Sequence, residues 1–162
     1  MKDVRLYNPE DSSKVKGAAM AKAIDAVFQS LRAYYPKCSL VMKTSDQELA
    51  MMREWGKAFV LAKVNQEMLR SGIERAKTYA AEDRFCNWPA VADFIAWCYG
   101  LPEPNDAYRE AVANCHDMTA WEPSHPAVAL VFELINRNEF RLSDERRAWS
   151  DYVAAYGKIR AR

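Results

Sequence analysis

Glycine is scarce in this sequence, at 5 of 162 residues, about 3% against a usual share of roughly 7%. Sandwiches and barrels contain many tight turns, and glycine supplies the backbone conformations that such turns require. The residues that are abundant here, among them alanine, leucine, glutamate and lysine, favour helices instead. The composition therefore predicts an all-α fold, a compact bundle of about seven helices with no sheet.

The five glycines are also isolated from one another, so the sequence has no glycine-rich phosphate-binding loop. Such a loop needs several glycines close together, because its backbone amides wrap around the phosphate. No group of acidic, histidine or cysteine residues has the spacing of a catalytic site either. His116 and Asp117, for example, are adjacent and would point to different faces of a helix. We therefore expect a protein that is not an enzyme and that uses no cofactor.

Residues that could bind a metal are few, with four cysteines and two histidines in the whole chain. No two cysteines have the close spacing of a zinc knuckle or a redox dithiol. Buried thiols that act as small apolar groups are the favoured interpretation. A zinc site made from Cys86, Cys98, Cys115 and one histidine is the alternative, because zinc prefers these ligands.

Long apolar segments are missing as well. No run of 18 apolar residues occurs, so we expect no membrane-spanning helix and no membrane contact. Residues 1–5 lack the apolar core of a signal peptide. These two features predict a cytoplasmic protein.

Charge is distributed unevenly behind a net charge of +1. Residues 1–84 carry 15 basic and 11 acidic groups (+4), residues 85–136 carry Arg109 against seven acids (−6), and residues 137–162 carry seven basic and four acidic groups (+3). The small net charge argues against strong nonspecific nucleic-acid binding by the whole molecule. One interpretation is a set of solvated faces that partly neutralise each other. The other is a basic C-terminal surface that meets an acidic partner or a phosphate backbone.

The chain organisation is predicted from composition and periodicity. Residues 1–14 are polar, contain Pro9 and lack periodicity, which is typical of a flexible N-terminal arm. Residues 15–160 are predicted to form a single helical domain, with a three-helix half at 15–82 and a second helical half at 89–160.

Apolar residues spaced three and four apart predict the helices of the first half. The first runs over 15–35 and ends before Pro36. Ser45 and Glu48 are expected to form a capping box for the second helix, and Asn65 is expected to cap the third. The expected inward-facing residues are Met20, Ile24, Val27, Phe28, Leu31, Tyr34, Leu49, Met52, Trp55, Phe59, Ala62, Leu69, Ile73, Ala76 and Ala80.

Four more helices are predicted in the second half. One begins with a proline, runs over 89–99 and stops at Gly100, which supplies the left-handed residue common at helix ends. Others are predicted over 105–118 and 126–138, and Ser143 is expected to cap the last. The expected inward-facing residues of the last three helices are Tyr108, Ala111, Val112, Cys115, Val128, Val131, Phe132, Leu134, Ile135, Trp149, Tyr152, Val153, Tyr156 and Ile159.

The last helix combines arginines, aromatic side chains with polar tips and a basic end. The purely structural interpretation is a helix that packs on the bundle and leaves its arginines in water. The functional alternative is an amphipathic helix that lies in a groove of a partner protein. The candidate partner-binding residues are Arg141, Arg146, Arg147, Trp149, Tyr152, Tyr156 and Lys158.

An ordered series of short motifs resembles replication protein P of lambdoid phages. Its centre is a Phe-apolar-Ala-Trp-Cys run at the end of a proline-initiated helix, followed by Gly-Leu-Pro. Similar segments occur upstream at 23–31, 53–59 and 64–76, and downstream from Trp121 to Glu145, so the resemblance spans roughly residues 20–150. The residues of the central motif with an expected structural role are Phe94, Trp97, Cys98, Gly100 and Pro102.

This resemblance implies a helicase loader without ATPase activity. Such proteins bind the host's hexameric DnaB-type replicative helicase, hold it inactive and help to place it on origin DNA together with a phage origin-binding initiator. This sequence lacks the long C-terminal extension that is implicated in gripping the helicase, so a helicase inhibitor or decoy is a further expectation. The basic ends of the chain favour a second alternative, a single-stranded DNA-binding module that combines charge with aromatic stacking.

Overall fold

The computed structural model describes residues 9–82 and 85–160, with the backbone alone for residues 9–16. The described residues form helices joined by loops, with no strand among them. The predicted all-α fold is confirmed. The helices are α1 (Pro9–Tyr34), α2 (Cys38–Val41), α3 (Ser45–Leu61), α4 (Gln66–Glu82), α5 (Val91–Cys98), α6 (Pro104–Asn114), α7 (Pro126–Leu130), α8 (Arg137–Leu142) and α9 (Glu145–Arg160), with a 3₁₀ turn at Val131–Glu133.

The described residues contain nine α-helices instead of seven, for two local reasons. The four-residue α2 is too short to show a period of 3.6 residues. The helix predicted over 126–138 is divided, because α7 tightens into the 3₁₀ turn and Asn136 then starts α8. The Asn136 side chain accepts hydrogen bonds from the N–H groups of Asn138 and Glu139, which makes it a strong N-cap.

The chain divides into two compact units, Met1–Cys98 (unit 1) and Tyr99–Arg162 (unit 2). This boundary differs from the predicted one between 82 and 89, since α5 packs against α3 and α4 within unit 1. Whether residues 15–160 behave as one domain stays a prediction. The N-terminal arm predicted over residues 1–14 is also too long, because α1 already begins at Pro9. Residues 1–8 of that arm lie outside the described residues.

Unit 1 is built around the indole of Trp55 on α3. Its ring centroid lies 5.2 Å from that of Phe28 on α1, 5.5 Å from that of Phe94 on α5 and 6.2 Å from that of Trp88. Edge-on and tilted aromatic pairs of this kind add about 0.5–1.5 kcal/mol each to the burial of their area. Three helices and the loop before α5 therefore share one aromatic core.

The start of α3 shows a cap one residue earlier than predicted. Thr44 Oγ1 accepts a hydrogen bond from the Gln47 N–H (3.2 Å), and Gln47 Oε1 accepts one from the Lys43 N–H (2.9 Å). The predicted Ser45–Glu48 box is therefore wrong. Glu48 forms an ion pair with Arg32 of α1 instead. The predicted cap of α4 is confirmed, because Asn65 Oδ1 accepts a hydrogen bond from the Met68 N–H at 2.9 Å.

Unit 2 packs α6, α7, α8 and α9 around a second core. Its fully buried side chains include Val128, Val131, Tyr152 and Tyr156. Helix α9 is capped by Asp144, whose Oδ1 accepts a hydrogen bond from the Arg147 N–H at 3.0 Å. The predicted Ser143 cap is wrong, since that hydroxyl donates back into α8.

Four residues predicted to face inward are exposed. One is Trp149 of α9, which keeps 36% of its surface exposed, and the other three are aliphatic. Leu49 lies on the outer side of α3, Val112 on the outer side of α6, and Leu134 beyond the 3₁₀ turn. Each lies at the edge of a helical stripe, where spacing alone does not separate a core position from a neighbouring surface position. The left-handed stop after α5 is confirmed by the φ of +70° at Gly100.

Glu110 fastens the long loop between α6 and α7. Its carboxylate accepts hydrogen bonds from the Ser124 N–H (2.7 Å), the Ser124 hydroxyl (2.5 Å) and the Trp121 indole N–H (3.2 Å). Charged acceptors make stronger hydrogen bonds than neutral ones. The loop is therefore held against α6 through one side chain.

Within the part of the chain that the structure describes, none of the helices combines the length and apolar character needed to cross a membrane.

The close packing of α4 against α5 at Gly72 can be tested by substitution. A Cβ at Gly72 would lie 2.6 Å from Cys98 Sγ and 3.2 Å from Phe94 Cζ. We expect Gly72→Ala to lower the free energy of unfolding of unit 1 by about 1–2 kcal/mol, since overpacking outweighs the gain in helix propensity. Urea unfolding followed by circular dichroism would measure the change.

Gly17→Ala is the matched control, because a Cβ there meets no atom of the described part of the chain within 4 Å. It is expected to leave stability unchanged or raise it by up to about 1 kcal/mol. In a Cys98→Ala background the cost of Gly72→Ala should shrink, because the nearest atom is gone. An equal cost in both backgrounds would contradict the tight-contact interpretation.

Candidate protein-interaction site

The terminal helix α9 buries two of the aromatic residues predicted to meet a partner. Tyr152 and Tyr156 are fully buried in the core of unit 2. The Tyr152 hydroxyl lies within hydrogen-bond distance of the carbonyl oxygens of Ala107 (3.1 Å) and Val128 (3.2 Å), and the Tyr156 hydroxyl donates to that of Pro102 (2.8 Å). Their assignment to a partner surface is therefore wrong, because their rings and hydroxyls are already used inside the unit.

Burial has an electrostatic consequence for one of these tyrosines. Loss of solvent raises the pKa of Tyr152 above its usual value, and the neighbouring Tyr156 and Glu110 raise it further. The hydroxyl therefore keeps its proton and acts as a donor at neutral pH. This donor ties α9 to α6 and α7.

The outward side of α9 carries the other predicted residues. Arg146, Arg147 and Lys158 are exposed, and Trp149 keeps 36% of its surface exposed. The Trp149 ring stands edge-on to Tyr108 of α6, with centroids 5.0 Å apart and planes at 85°. This contact holds the indole at the surface in a fixed orientation.

Trp149 borders a cleft between α6 and the corner where α8 meets α9, which we call the α6–α9 cleft. It consists of two neighbouring cavities of about 520 and 620 Å³ that share Tyr108, Arg109 and Glu145 in their walls. Arg141 lines the first cavity, and Arg146 and Trp149 line the second. The structure therefore brings three of the predicted residues to one surface.

The cleft has an aromatic floor and a largely basic wall. Arg109, Arg141 and Arg146 contribute guanidinium groups, whereas Asp144 and Glu145 are the acidic residues lining it. Asp144 already caps α9. Burial and the charge of Glu145 raise the pKa of Tyr108, so the floor stays neutral. Guanidinium groups bind carboxylates through paired hydrogen bonds, and arginine and tryptophan are enriched among residues that dominate binding energy.

Among the arginines of the cleft, Arg109 was missed by sequence reasoning. Arg109 carried a signal, since it is the single base among the seven acids of residues 85–136. The remaining predicted residues, Arg147 and Lys158, are exposed but do not line the cleft, and Arg147 pairs with Asp151 (3.7 Å).

The cysteines are placed as packing groups. Cys98 and Cys115 are buried, and Cys38 and Cys86 are half-buried. Burial raises the pKa of the Cys98 thiol to about 12, against a smaller lowering by a hydrogen bond to the Gly72 backbone. A thiol that keeps its proton is a poor metal ligand. Among the described residues no three histidine, cysteine or acidic side chains are grouped to hold a metal, so the zinc alternative finds no support there.

The residues of the central sequence motif have structural positions. Phe94, Trp97 and Cys98 are buried in α5 within unit 1. In unit 2, Gly100 has the positive φ described above, and the carbonyl of Pro102 accepts the Tyr156 hydroxyl. The motif residues are thus packed, or hydrogen-bonded to packed groups.

Comparison with known families gives one match. The family model described as Replication protein P matches residues 22–141, about three quarters of the chain. The chain belongs to the replication protein P family. This family membership assigns the protein a role in phage-type DNA replication. Comparisons with curated proteins and with solved structures found no match.

The family match covers unit 1 from Lys22 onward and unit 2 as far as Arg141 in α8. It therefore includes Arg109 and Arg141 of the α6–α9 cleft. Leu142, Arg146 and Trp149 lie beyond the matched segment. The α6 side of the cleft is family sequence, while the α9 side is not covered by the match.

The difference between the buried and exposed faces of α9 can be measured. Tyr156→Ala is expected to lower the free energy of unfolding of unit 2 by about 3–5 kcal/mol, because it removes a buried ring. Trp149→Ala should cost about 0.5–1.5 kcal/mol, chiefly the edge-on contact with Tyr108. Thermal and urea unfolding of the full chain would compare them. Equal losses for the two variants would contradict the assignment of one to the core and the other to the surface.

Proposed function

We propose that this replication protein P family member is an adaptor that binds the host's hexameric DnaB-type replicative helicase and loads it without hydrolysing nucleotide. The α6–α9 cleft is its proposed contact surface. The observation that carries this proposal is the arginine-lined cleft flanked by the exposed Trp149, on a chain that belongs to this family. The proposal places the protein in the cytoplasm, with a phage origin-binding initiator as a further partner.

The composition of the surface supports a protein partner. Stable interfaces combine a few buried aromatic or arginine anchors with a polar rim. Trp149 supplies apolar area at the cleft, and Arg141 and Arg146 can pair with carboxylates. We therefore expect the helicase to contribute an apolar patch with acidic residues around it.

Binding energy alone can drive such an adaptor. A ligand shifts a ring between two conformations by the difference in its affinity for them. A loader would favour a ring state that admits DNA, whereas an inhibitor or decoy would favour a closed, inactive state. The two roles require the same contact surface and differ in the helicase conformation that is bound.

A binding assay with purified hexameric helicase tests the proposal. We expect co-elution in size-exclusion chromatography at about 10 μM. Trp149→Ala and Arg146→Glu should each raise Kd about tenfold or more, as for interface anchors. Arg70→Glu, an exposed arginine on α4 in unit 1, is the matched control and should leave Kd unchanged.

Absence of co-elution by the wild-type chain would reject the helicase as partner. Normal affinity of both cleft variants, with circular dichroism spectra like the wild type, would reject the cleft as the contact while leaving the partner in place. Helicase placement on a DNA circle, measured by unwinding after addition of the adaptor, separates the two roles. A loader speeds unwinding, and an inhibitor slows it.

A second candidate function is single-stranded DNA binding, favoured by the exposed Trp149 beside Arg146. Bases stack on aromatic rings while arginines contact phosphates. If this function holds, a labelled oligothymidine should bind with an affinity that falls steeply as salt rises. Both Trp149→Ala and Arg146→Glu should weaken it, and Arg70→Glu should not. Fluorescence anisotropy measures this, and an affinity that is insensitive to Trp149→Ala would count against stacking in the cleft.

A further inference from the structure

Unit 1 carries a separate groove on the side of α1 and α3, which we call the unit-1 groove. Its volume is about 1540 Å³, and its walls come from α1, the second half of α3, the α3–α4 loop and the start of α4. The buried side chains of Ile24, Phe59, Val64 and Leu69 form part of its lining. The helicase contact proposed above does not involve this groove.

Close helix packing at one end and small residues beyond it create the groove. A Cβ at Gly56 of α3 would lie 2.7 Å from Ile24 Cδ1 on α1, so the two helices are close at that point. Along the groove α1 also presents Gly17, Ala19 and Ala23, which carry no side chain or only a methyl group. Unit 1 therefore presents a depression next to its own core.

Two large aliphatic residues stand at the end of α3 on this groove. Val60 is 63% exposed and Leu61 is 85% exposed, and both line it. Adjacent exposed aliphatic side chains beside an apolar depression are typical of a surface that a partner covers. The groove is also larger than the roughly 300–1,000 Å³ of ordinary small-molecule pockets, which favours a peptide segment as its occupant.

The charge of the lining is of one sign. Lys22, Arg53, Lys57 and Lys63 line the groove, and no aspartate or glutamate does so among the described residues. Lys57 is paired with Glu54 (2.7 Å). The other three have no ion-pair partner among the described residues. The lining thus offers apolar area bordered by basic side chains, with no acidic side chain in it among the described residues.

We propose that the unit-1 groove binds an amphipathic helix of a partner protein whose apolar face is flanked by carboxylates. Helices bind grooves through apolar residues spaced three and four apart. The groove supplies Val60, Leu61 and its buried floor for that face, and its cations complement the flanking acids. Charge complementarity separates this occupant from a basic peptide of equal hydrophobicity.

The test uses designed peptides against the full chain. The acidic probe is an amphipathic helix of about 18 residues, long enough to form a helix, with leucines at i, i+3, i+4 and i+7 and glutamates beside them. The basic probe has the same sequence with lysines in place of the glutamates. We expect micromolar binding of the acidic probe by fluorescence anisotropy, at least tenfold tighter than the basic probe. Amide shifts in a heteronuclear spectrum should cluster between residues 56 and 66.

Variants locate the site. Leu61→Glu and the double variant Arg53→Glu/Lys63→Glu should each weaken binding of the acidic probe about tenfold or more. Leu40→Glu, an exposed leucine on α2 outside the groove, and Lys77→Glu, an exposed lysine on α4 outside the groove, are the controls and should change nothing.

Equal affinity for the two probes, or unchanged binding by Leu61→Glu, would overturn the proposal. Self-association that disappears in Leu61→Glu would overturn it too, by assigning the groove to a second copy of the chain. Loss of oligothymidine binding in Arg53→Glu/Lys63→Glu, without any effect on the peptide, would assign the cations to DNA instead. Since Leu61, Arg53 and Lys63 line the groove and not the α6–α9 cleft, the results with their variants do not depend on the proposed helicase contact.

Discussion

Buried tyrosine hydroxyls that donate to main-chain carbonyls hold each unit in register. In unit 1, Tyr35 at the end of α1 donates to the carbonyl of Ala76 on α4 at 2.9 Å. In unit 2, Tyr152 and Tyr156 bond to carbonyl oxygens outside α9. A buried hydroxyl without a partner costs free energy, and a helical carbonyl has a second lone pair to offer. The hydroxyl of a buried tyrosine therefore finds a hydrogen-bond acceptor in an all-α core only where its helix packs against a segment that has a carbonyl oxygen within reach.

Helical spacing does not decide what α9 exposes. At about 100° per residue, Trp149 lies about 60° from Tyr152 around the axis of α9, on the same stripe as the buried Tyr152 and Tyr156. Trp149 nevertheless keeps 36% of its surface exposed, and its ring stands edge-on to Tyr108, which forms the floor of the α6–α9 cleft. The candidate binding surface therefore depends on the tertiary packing around this part of α9.

The two units differ in the composition of their cores and in the residues that line their surface cavities. Unit 1 has an aromatic core centred on Trp55 and a groove whose lining is basic. Unit 2 has a tyrosine-rich core and an arginine-lined cleft. The family match spans the groove from Lys22 onward and the α6 side of the cleft.

The sequence by itself determined the helical fold and most of the core, because helix propensity and a period of 3.6 residues are local properties. Val27, Phe28, Trp55 and Phe94 could be placed inside without knowing any long-range contact. The tertiary structure alone decided that Trp149 is exposed while Tyr152 and Tyr156 of the same apolar stripe are core, since the buried part of a stripe is known only after its neighbours are in place. It likewise decided the division after Cys98 and the meeting of Arg109 with Arg146, because packing between distant segments brings together residues whose spacing along the chain carries no signal.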